Sequence, residues 1–248
     1  RLRAAYGQTG GQPPGAYFRF ANYGNTAHAG RTGFVPSTLA GNPNLKPERQ
    51  EEIEAGIDVG MLEERANLEF TYYNRKTSDL VLNVPLPLSS GAASQPQNIG
   101  EVAGWGIEAA INTINMNRDR FKWTSRLSLS HEQSEVTKLV TSADTLLFGY
   151  LNAVIEGQPL GVFYGGQYER NADGSIFYDN VTTGGRTLSL PMRARVRRTD
   201  GTYNITGTAI NGVIGDPNPS LIANFGNTFS FGDRVQLSVL FDGRFGGD

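Results

Sequence analysis

Cysteine is absent from the 248 residues. That excludes a disulfide framework, zinc–thiolate sites and cysteine nucleophiles. Only two histidines occur, so histidine-based acid–base catalysis is poorly supplied. Neither charge is in excess: 22 Lys+Arg stand against 24 Asp+Glu, a formal net charge of −2. A chain so balanced offers no electrostatic footprint for nucleic acid and no polybasic membrane patch. No apolar run approaches the roughly 18 residues a membrane helix needs, and mean hydropathy is −0.35. A transmembrane β-barrel survives that exclusion, because only alternate residues of its strands meet lipid. No Gly-x-Ser-x-Gly elbow and no phosphate-binding glycine loop occurs.

What is present points to strands. The 31 glycines, with frequent Asn, Ser and Thr, mark turns. Six segments alternate with a period of two. From Glu52 to Met61 the odd positions are Ile53, Ala55, Ile57, Val59 and Met61, against Glu52, Glu54, Gly56, Asp58 and Gly60. Leu68, Phe70 and Tyr72 oppose Asn67, Glu69 and Thr71; Ile107 and Ile111 oppose Glu108 and Asn112. Leu127 and Leu129 oppose Arg126 and Ser128; Phe225 and Phe229 oppose Asn224 and Thr228; Leu237 and Phe241 oppose Gln236 and Asp242. Such alternation puts one face in an apolar medium and the other in water.

Two media satisfy that pattern: a bilayer, or the core of a soluble all-β domain such as a carbohydrate-binding sandwich. Segment length favours the bilayer, since about ten residues suit a tilted membrane strand and soluble strands average about five or six. Aromatics gather at strand ends, as at Phe121 and Trp123, Phe229 and Phe231, Tyr72 and Tyr73, and Phe241 and Phe245. Interfacial girdles of outer-membrane barrels look like this.

Connections alternate in length. Leu62–Arg65, Asn115–Arg120 and Gly232–Arg234 read as tight turns, whereas Thr9–Pro47, Val84–Gly100 and Ser134–Ser220 read as long loops. Parity then gives an inward strand 52–61, an outward 66–83, an inward 101–114, an outward 121–133, an inward 220–231 and an outward 235–245. Residues 134–219 must hold zero or an even number of crossings. We expect zero, with hairpins at Leu160–Glu169 and Ser175–Tyr178 outside the membrane. With Arg1–Gly7 as an outward strand, the expected fold is an all-β, antiparallel transmembrane β-barrel fragment of about seven crossing strands with long extracellular loops. Both chain ends read as cuts.

No catalytic, cofactor or metal site is expected. His131-Glu132-x-x-Glu135 lacks the second histidine of a zinc motif and sits on a strand, where i and i+4 do not share a helical face. Glu169, Asn171, Asp173 and Gly174 fit the early positions of a calcium loop, but Asn180 stands where its bidentate glutamate belongs, so an Asp-Gly turn is the plainer reading. Arg193, Arg195, Arg197 and Arg198 read as a solvated loop. The candidate ligand-binding residues are the lumen-facing Glu52, Glu54, Asp58, Glu69, Arg126, Asn224 and Gln236.

Longer motifs carry a family resemblance. Asn42-Pro-Asn-Leu-Lys-Pro-Glu, Tyr72-Tyr-Asn-Arg-Lys-Thr-Ser-Asp-Leu-Val-Leu-Asn-Val-Pro, Gln97-Asn-Ile-Gly, Gly106-Ile-Glu, Glu156-Gly-Gln-Pro-Leu-Gly-Val-Phe-Tyr-Gly, Gly215-Asp-Pro-Asn-Pro and Phe225-Gly-Asn-Thr-Phe-Ser-Phe follow one another in order. Together they resemble SusC/RagA-type TonB-linked outer-membrane receptors. The resemblance implies a barrel of about 22 strands with a plugged lumen, importing large nutrients such as glycans or peptides. It implies three partners: the TonB complex, reached through an N-terminal part outside this chain; a SusD-like surface lipoprotein; and outer-membrane lipid. On that reading residues 1–248 are a partial barrel domain without the plug and the final strands.

Overall fold

The structure is a computed structural model. It describes every residue except 13, 14, 16, 141–144, 149–150, 184–185, 197–207 and 248. Among the described residues fifteen strands run in chain order. The first seven are β1 (Leu2–Gly11), β2 (Tyr23–His28), β3 (Arg31–Pro36), β4 (Glu48–Met61), β5 (Ala66–Pro85), β6 (Ser94–Arg118) and β7 (Phe121–Leu139). They are followed by β8 (Thr145–Phe148), β9 (Asn152–Ile155), β10 (Val162–Gly166), β11 (Tyr178–Thr183), β12 (Arg186–Pro191), β13 (Asn211–Gly215), β14 (Leu221–Phe231) and β15 (Val235–Phe245).

The chain divides into two compact units: Arg1–Leu146 with Ile155–Leu160 and Asn218–Gly247, and Leu147–Val154 with Gly161–Pro217. The first is built on a seven-stranded antiparallel sheet in the order β1-β4-β5-β6-β7-β14-β15, and β1 and β15 are its two edges. All seven expected crossings are these strands. Among the described residues, those between β7 and β14 add no strand to the sheet. Three tight turns share one end, because Met61 pairs with Ala66, Arg118 with Phe121 and Phe231 with Val235.

Two loop expectations change. Residues 84–100 are not a long loop: Val84 pairs with Gln95 and Pro85 with Ser94, which leaves a short connection with one 3-10 turn at Leu88–Ser90. Irregular pairing between Thr77 and Val81 breaks the period of two that marks a strand in sequence. The expected hairpins at 160–169 and 175–178 also form elsewhere. In the second unit β10 pairs with both β9 and β13, and β11 pairs with β12. The Asp173-Gly174 turn does form, with Gly174 at φ +85 and the Asn171 N–H donating to the Ser175 carbonyl, closed by an Arg170–Ile176 bridge.

The sheet has almost no core. Among the described residues the buried apolar side chains are few, and in the seven strands they are Ala66, Pro96, Ile99 and Val136. Leu2, Tyr6, Ile53, Ile57, Phe70, Tyr72, Leu129, Phe225 and Phe241 share one face by register and stay exposed. A soluble sandwich would cover that face with a second sheet. Leu240 departs from the pattern, exposed at a polar-face position of the edge strand β15.

Aromatics form two groups on the apolar face. Near the turns, Trp123 stacks on Phe229 at 5.7 Å and Phe121 meets Phe231 at 5.2 Å. Toward the other end, Trp105 lies 6.4 Å from Tyr72 and 5.2 Å from the His131 ring. Tyr73 and Phe241 do not join these groups: Tyr73 points to the polar face, and Phe241 pairs with Phe225 well inside the strand. Beside Trp123 the apolar face holds a self-contained polar cluster. The Asn227 side-chain oxygen accepts from Trp123 Nε1 at 3.0 Å and from Ser125 Oγ at 2.7 Å, and Asn115 Nδ2 donates to Ser125 Oγ at 2.6 Å. Polar groups survive on such a face only when their hydrogen bonds are made.

Candidate functional site

The polar face is built by register. Cross-strand pairing sets Asp58 beside Glu69, Gly56 beside Thr71, Glu54 beside Tyr73 and Glu52 beside Arg75. The next two strands place Glu108 beside Thr71 and Ser130, and Gly106 beside Tyr73 and Glu132. Large and absent side chains alternate for a reason. A Cβ at Gly106 would run into the Tyr73 hydroxyl and come within 2.8 Å of the His131 carbonyl. A Cβ at Gly56 would press on the Arg3 guanidinium at 3.0 Å.

These residues border an open concavity of about 580 Å³. Five of the seven expected candidates line it: Glu52, Glu54, Glu69, Arg126 and Asn224. Asp58 is outside the lining and is held by Arg3 at 3.0 Å. Gln236 lies at the turn end of β15, opposite Ser230, where it donates to Ser238 Oγ at 3.4 Å. Arg3, Thr71, Tyr73, Arg75, Glu108 and Glu132 also line the concavity. Strand parity was the signal that could have found them, since each shares its face with an expected candidate.

Three arginines and five glutamates line the wall. The arginines are all engaged. Arg3 pairs with Glu54 at 3.4 Å and with Asp58, and donates to Thr71 Oγ1 at 3.1 Å. Arg75 pairs with Glu132 and lies 5.9 Å from the centre of the Tyr73 ring. Arg126 donates to Asn112 Oδ1 at 2.9 Å. The wall is thus an open, charged surface whose arginines are held by ion pairs and hydrogen bonds.

The metal-like motifs do not assemble. His131 stands on the apolar face against Trp105, while its neighbour Glu132 reaches to the polar face and Arg75. At the Asp-Gly turn, Asp173 Oδ1 accepts from the Ser175 N–H at 2.9 Å and hydroxyl at 2.6 Å, and Arg170 donates to the Gly174 carbonyl. Those hydrogen bonds hold the Asp173 carboxyl below the usual carboxylate range. Among the described residues no group of three or more His, Cys, Asp or Glu could hold a metal ion. Arg193 and Arg195 sit at isolated bridges to Tyr168 and Ala209, and Arg197 and Arg198 lie outside the described residues.

With this geometry in view, comparison with known proteins is decisive. A family model described as TonB dependent receptor-like, beta-barrel matches residues 1–189. The chain belongs to the TonB-dependent receptor β-barrel family. TonB-dependent receptor P3 of Formosa agariphila is 31% identical over 259 residues, covering 100% of this chain and 26% of that protein. TonB-dependent receptor SusC of Bacteroides thetaiotaomicron is 32% identical over 158 residues, covering 58% of this chain and 15% of that one. Among solved structures, the RagAB peptide importer in its closed-closed state matches with a TM-score of 0.73 at 23% identity, over 99% of this chain and 26% of that chain. That likeness shows the fold. The chain spans about a quarter of the length of the Formosa relatives it matches.

Proposed function

We propose that this chain is a stretch of the wall of an outer-membrane TonB-dependent transporter that imports large nutrients, glycans or peptides. The observation that carries the reading is the exposed apolar face backed by a charged one on the same sheet. Lipid would meet the first and the lumen would hold the second. The aromatic groups support the scale. Trp123 and His131 lie eight residues apart on β7, roughly 26 Å along a strand and about 20 Å across a bilayer when tilted by about 40°. An outer-membrane barrel presents an apolar band of about 25 Å.

The turn end of the sheet is then periplasmic and the other end extracellular. Partners follow by kinship: RagAB and SusC stand for receptors of this family, and we assign a SusD-like lipoprotein to the outer side and the TonB complex to a segment beyond this chain. The lumen candidates Glu52, Glu54, Asp58, Glu69, Arg126, Asn224 and Gln236 would meet cargo or plug. The test uses cells carrying the whole protein. It should sediment with outer membranes, run as a heat-modifiable barrel, and support uptake of a labelled oligosaccharide or peptide pool only when TonB is present. A water-soluble periplasmic protein, or uptake indifferent to TonB, overturns the reading.

A further inference from the structure

At one corner of the sheet, beside the turns, the apolar face carries charge. Pairing of β6 with β7 shifts between Ile114 and Met116, which inserts Asn115 as an extra residue. Beyond the shift Met116 pairs with Trp123 and Arg118 with Phe121. Residues paired across antiparallel strands share a face, and Phe121 lies with Phe229 and Phe231 on the apolar one. The bulge therefore brings Arg118 onto the apolar face. An unbroken alternation from Ile111 would have set Asn117 there and turned Arg118 to the lumen.

More cations flank it. Arg120 lies in the same turn and Arg234 in the next, and the Gly232 N–H donates to the Arg120 carbonyl at 2.9 Å, which ties the two turns together. All three arginines are exposed, and their side chains have no partner among the described residues. Asp119 and Asp233 are the acidic residues of these two turns, so one guanidinium of the three is left unmatched.

A second set of donors lies deeper. The polar cluster beside Trp123 completes its internal bonds and still has hydrogens to spare. Asn227, 9% exposed, spends its side-chain oxygen on Trp123 Nε1 and Ser125 Oγ, while its Nδ2 bonds to no described group. Asn115 gives one amide hydrogen to Ser125 Oγ and keeps the other. An amide N–H on a lipid-facing surface needs an acceptor. Ser125 stands four residues beyond Phe121 on β7, about 13 Å along a strand and about 10 Å in depth at a tilt of about 40°. Cations thus stand at the water boundary and amide donors below them, beside the stacked Trp123 and Phe229 rings.

We propose that this corner is a docking site for an anionic phospholipid of the phosphatidylglycerol class. Its phosphate meets Arg118, whose fork of donors matches phosphate oxygens. Its glycerol ester carbonyls accept from Asn227 and Asn115, and its acyl chains lie along the Trp123 and Phe229 rings. A zwitterionic phospholipid brings its own ammonium and leaves the surplus guanidinium unbalanced; phosphatidylglycerol balances it. The site rests on the assignment of the apolar face to lipid and of the turn end to the periplasmic leaflet.

Native mass spectrometry of the whole protein tests this, after release from nanodiscs holding phosphatidylethanolamine and phosphatidylglycerol in equal amounts. The parent should retain phosphatidylglycerol over phosphatidylethanolamine by about fivefold, the effect of one cation near a charged surface. Arg118→Gln should abolish that preference, and Arg234→Gln should lower it. Lys122→Gln removes the same charge from the lumen face, since Lys122 pairs with Asn117 and Ser230, and should leave the preference unchanged. Inorganic phosphate should not displace the lipid. The site is overturned if the parent shows no preference, if the preference survives in both arginine variants, if Lys122→Gln abolishes it equally, or if free phosphate displaces the lipid. A parent that is not a heat-modifiable barrel fails the transporter reading instead; a heat-modifiable parent without the preference fails this site alone.

Discussion

Two neighbouring rows of the seven-stranded sheet, one residue apart along every strand, have opposite chemistry. Asp58, Glu69, Ser128, Asn224 and Asp242 run across the sheet in one row. One step away Ile57, Phe70, Ala109 and Leu129 run across in the other, on the opposite face. The pleat alone separates them. The difference teaches where the fold's stability must come from. Neither row has a protein core behind it, so the apolar row depends on its medium and the polar row on water and ion pairs.

The sharpest way to break this comparison is a charge on the wrong row. Leu127→Arg sits midway between the aromatic groups and should cost roughly 2–4 kcal/mol, because the guanidinium must leave water. Ser128→Arg keeps its hydration and should cost under about 0.5 kcal/mol. Urea titration of the whole protein refolded into lipid reads both, and equal costs would show that the two faces share one medium. Leu237 is a poorer probe, since it lies level with Phe229 and Trp123 at the interfacial group.

Smaller effects sharpen each face in turn. Asn227→Ala leaves the Trp123 indole N–H and the Ser125 hydroxyl without their acceptor, at a cost of about 1–3 kcal/mol. The same titration should show that loss, with a blue shift in Trp123 emission. An unchanged midpoint would mean that lipid headgroups or water already serve these groups. On the polar face, Gly106→Ala meets Tyr73 and a carbonyl, whereas at Gly226 the added carbon finds only ordinary contacts beyond 3.8 Å. We expect the first to cost about 1–3 kcal/mol and the second far less. A double-mutant cycle on Arg75 and Glu132 should give a coupling below about 1 kcal/mol, because both side chains are more than a third exposed and water screens them.

The smallest effect lies in the second unit. The Asp173 carboxyl titrates low in the folded turn. Its stabilisation is therefore complete above the ordinary carboxylate range and disappears as pH falls through the lowered value. Hydrogen exchange at Ser175 should accelerate only in strong acid, beyond the intrinsic pH trend. Ser175→Ala should move the onset to higher pH.

The sheet was legible in sequence because six of its seven strands alternate over most of their regular parts, with interruptions such as Ser125, Asn227 and Leu240. Register made the rest harder. The extensions of β5 and β6 were hidden by the irregular pairing around Asp79, where the period of two fails and Pro85 and Pro96 resemble loop punctuation. Pro96 nonetheless pairs with Asn83. Of the concavity, parity supplied the face but not the lining. Arg3 joins Glu54 and Asp58 only because β1 pairs with β4 across more than fifty residues. The short strands of the second unit left no periodic trace, since β9 and β10 each span four or five residues.

Site-directed spin labelling tests the central claim most directly, and the absence of native cysteine from this chain makes it clean. Single cysteines at 125–130, placed in the whole protein in a bilayer with no other reactive thiol, would be labelled and exposed to oxygen and to a water-soluble nickel chelate. Collision rates should alternate residue by residue, with oxygen favoured at 127 and 129 and nickel at 126, 128 and 130. A flat profile, or one with the two sets exchanged, would contradict the assignment of the apolar face to lipid.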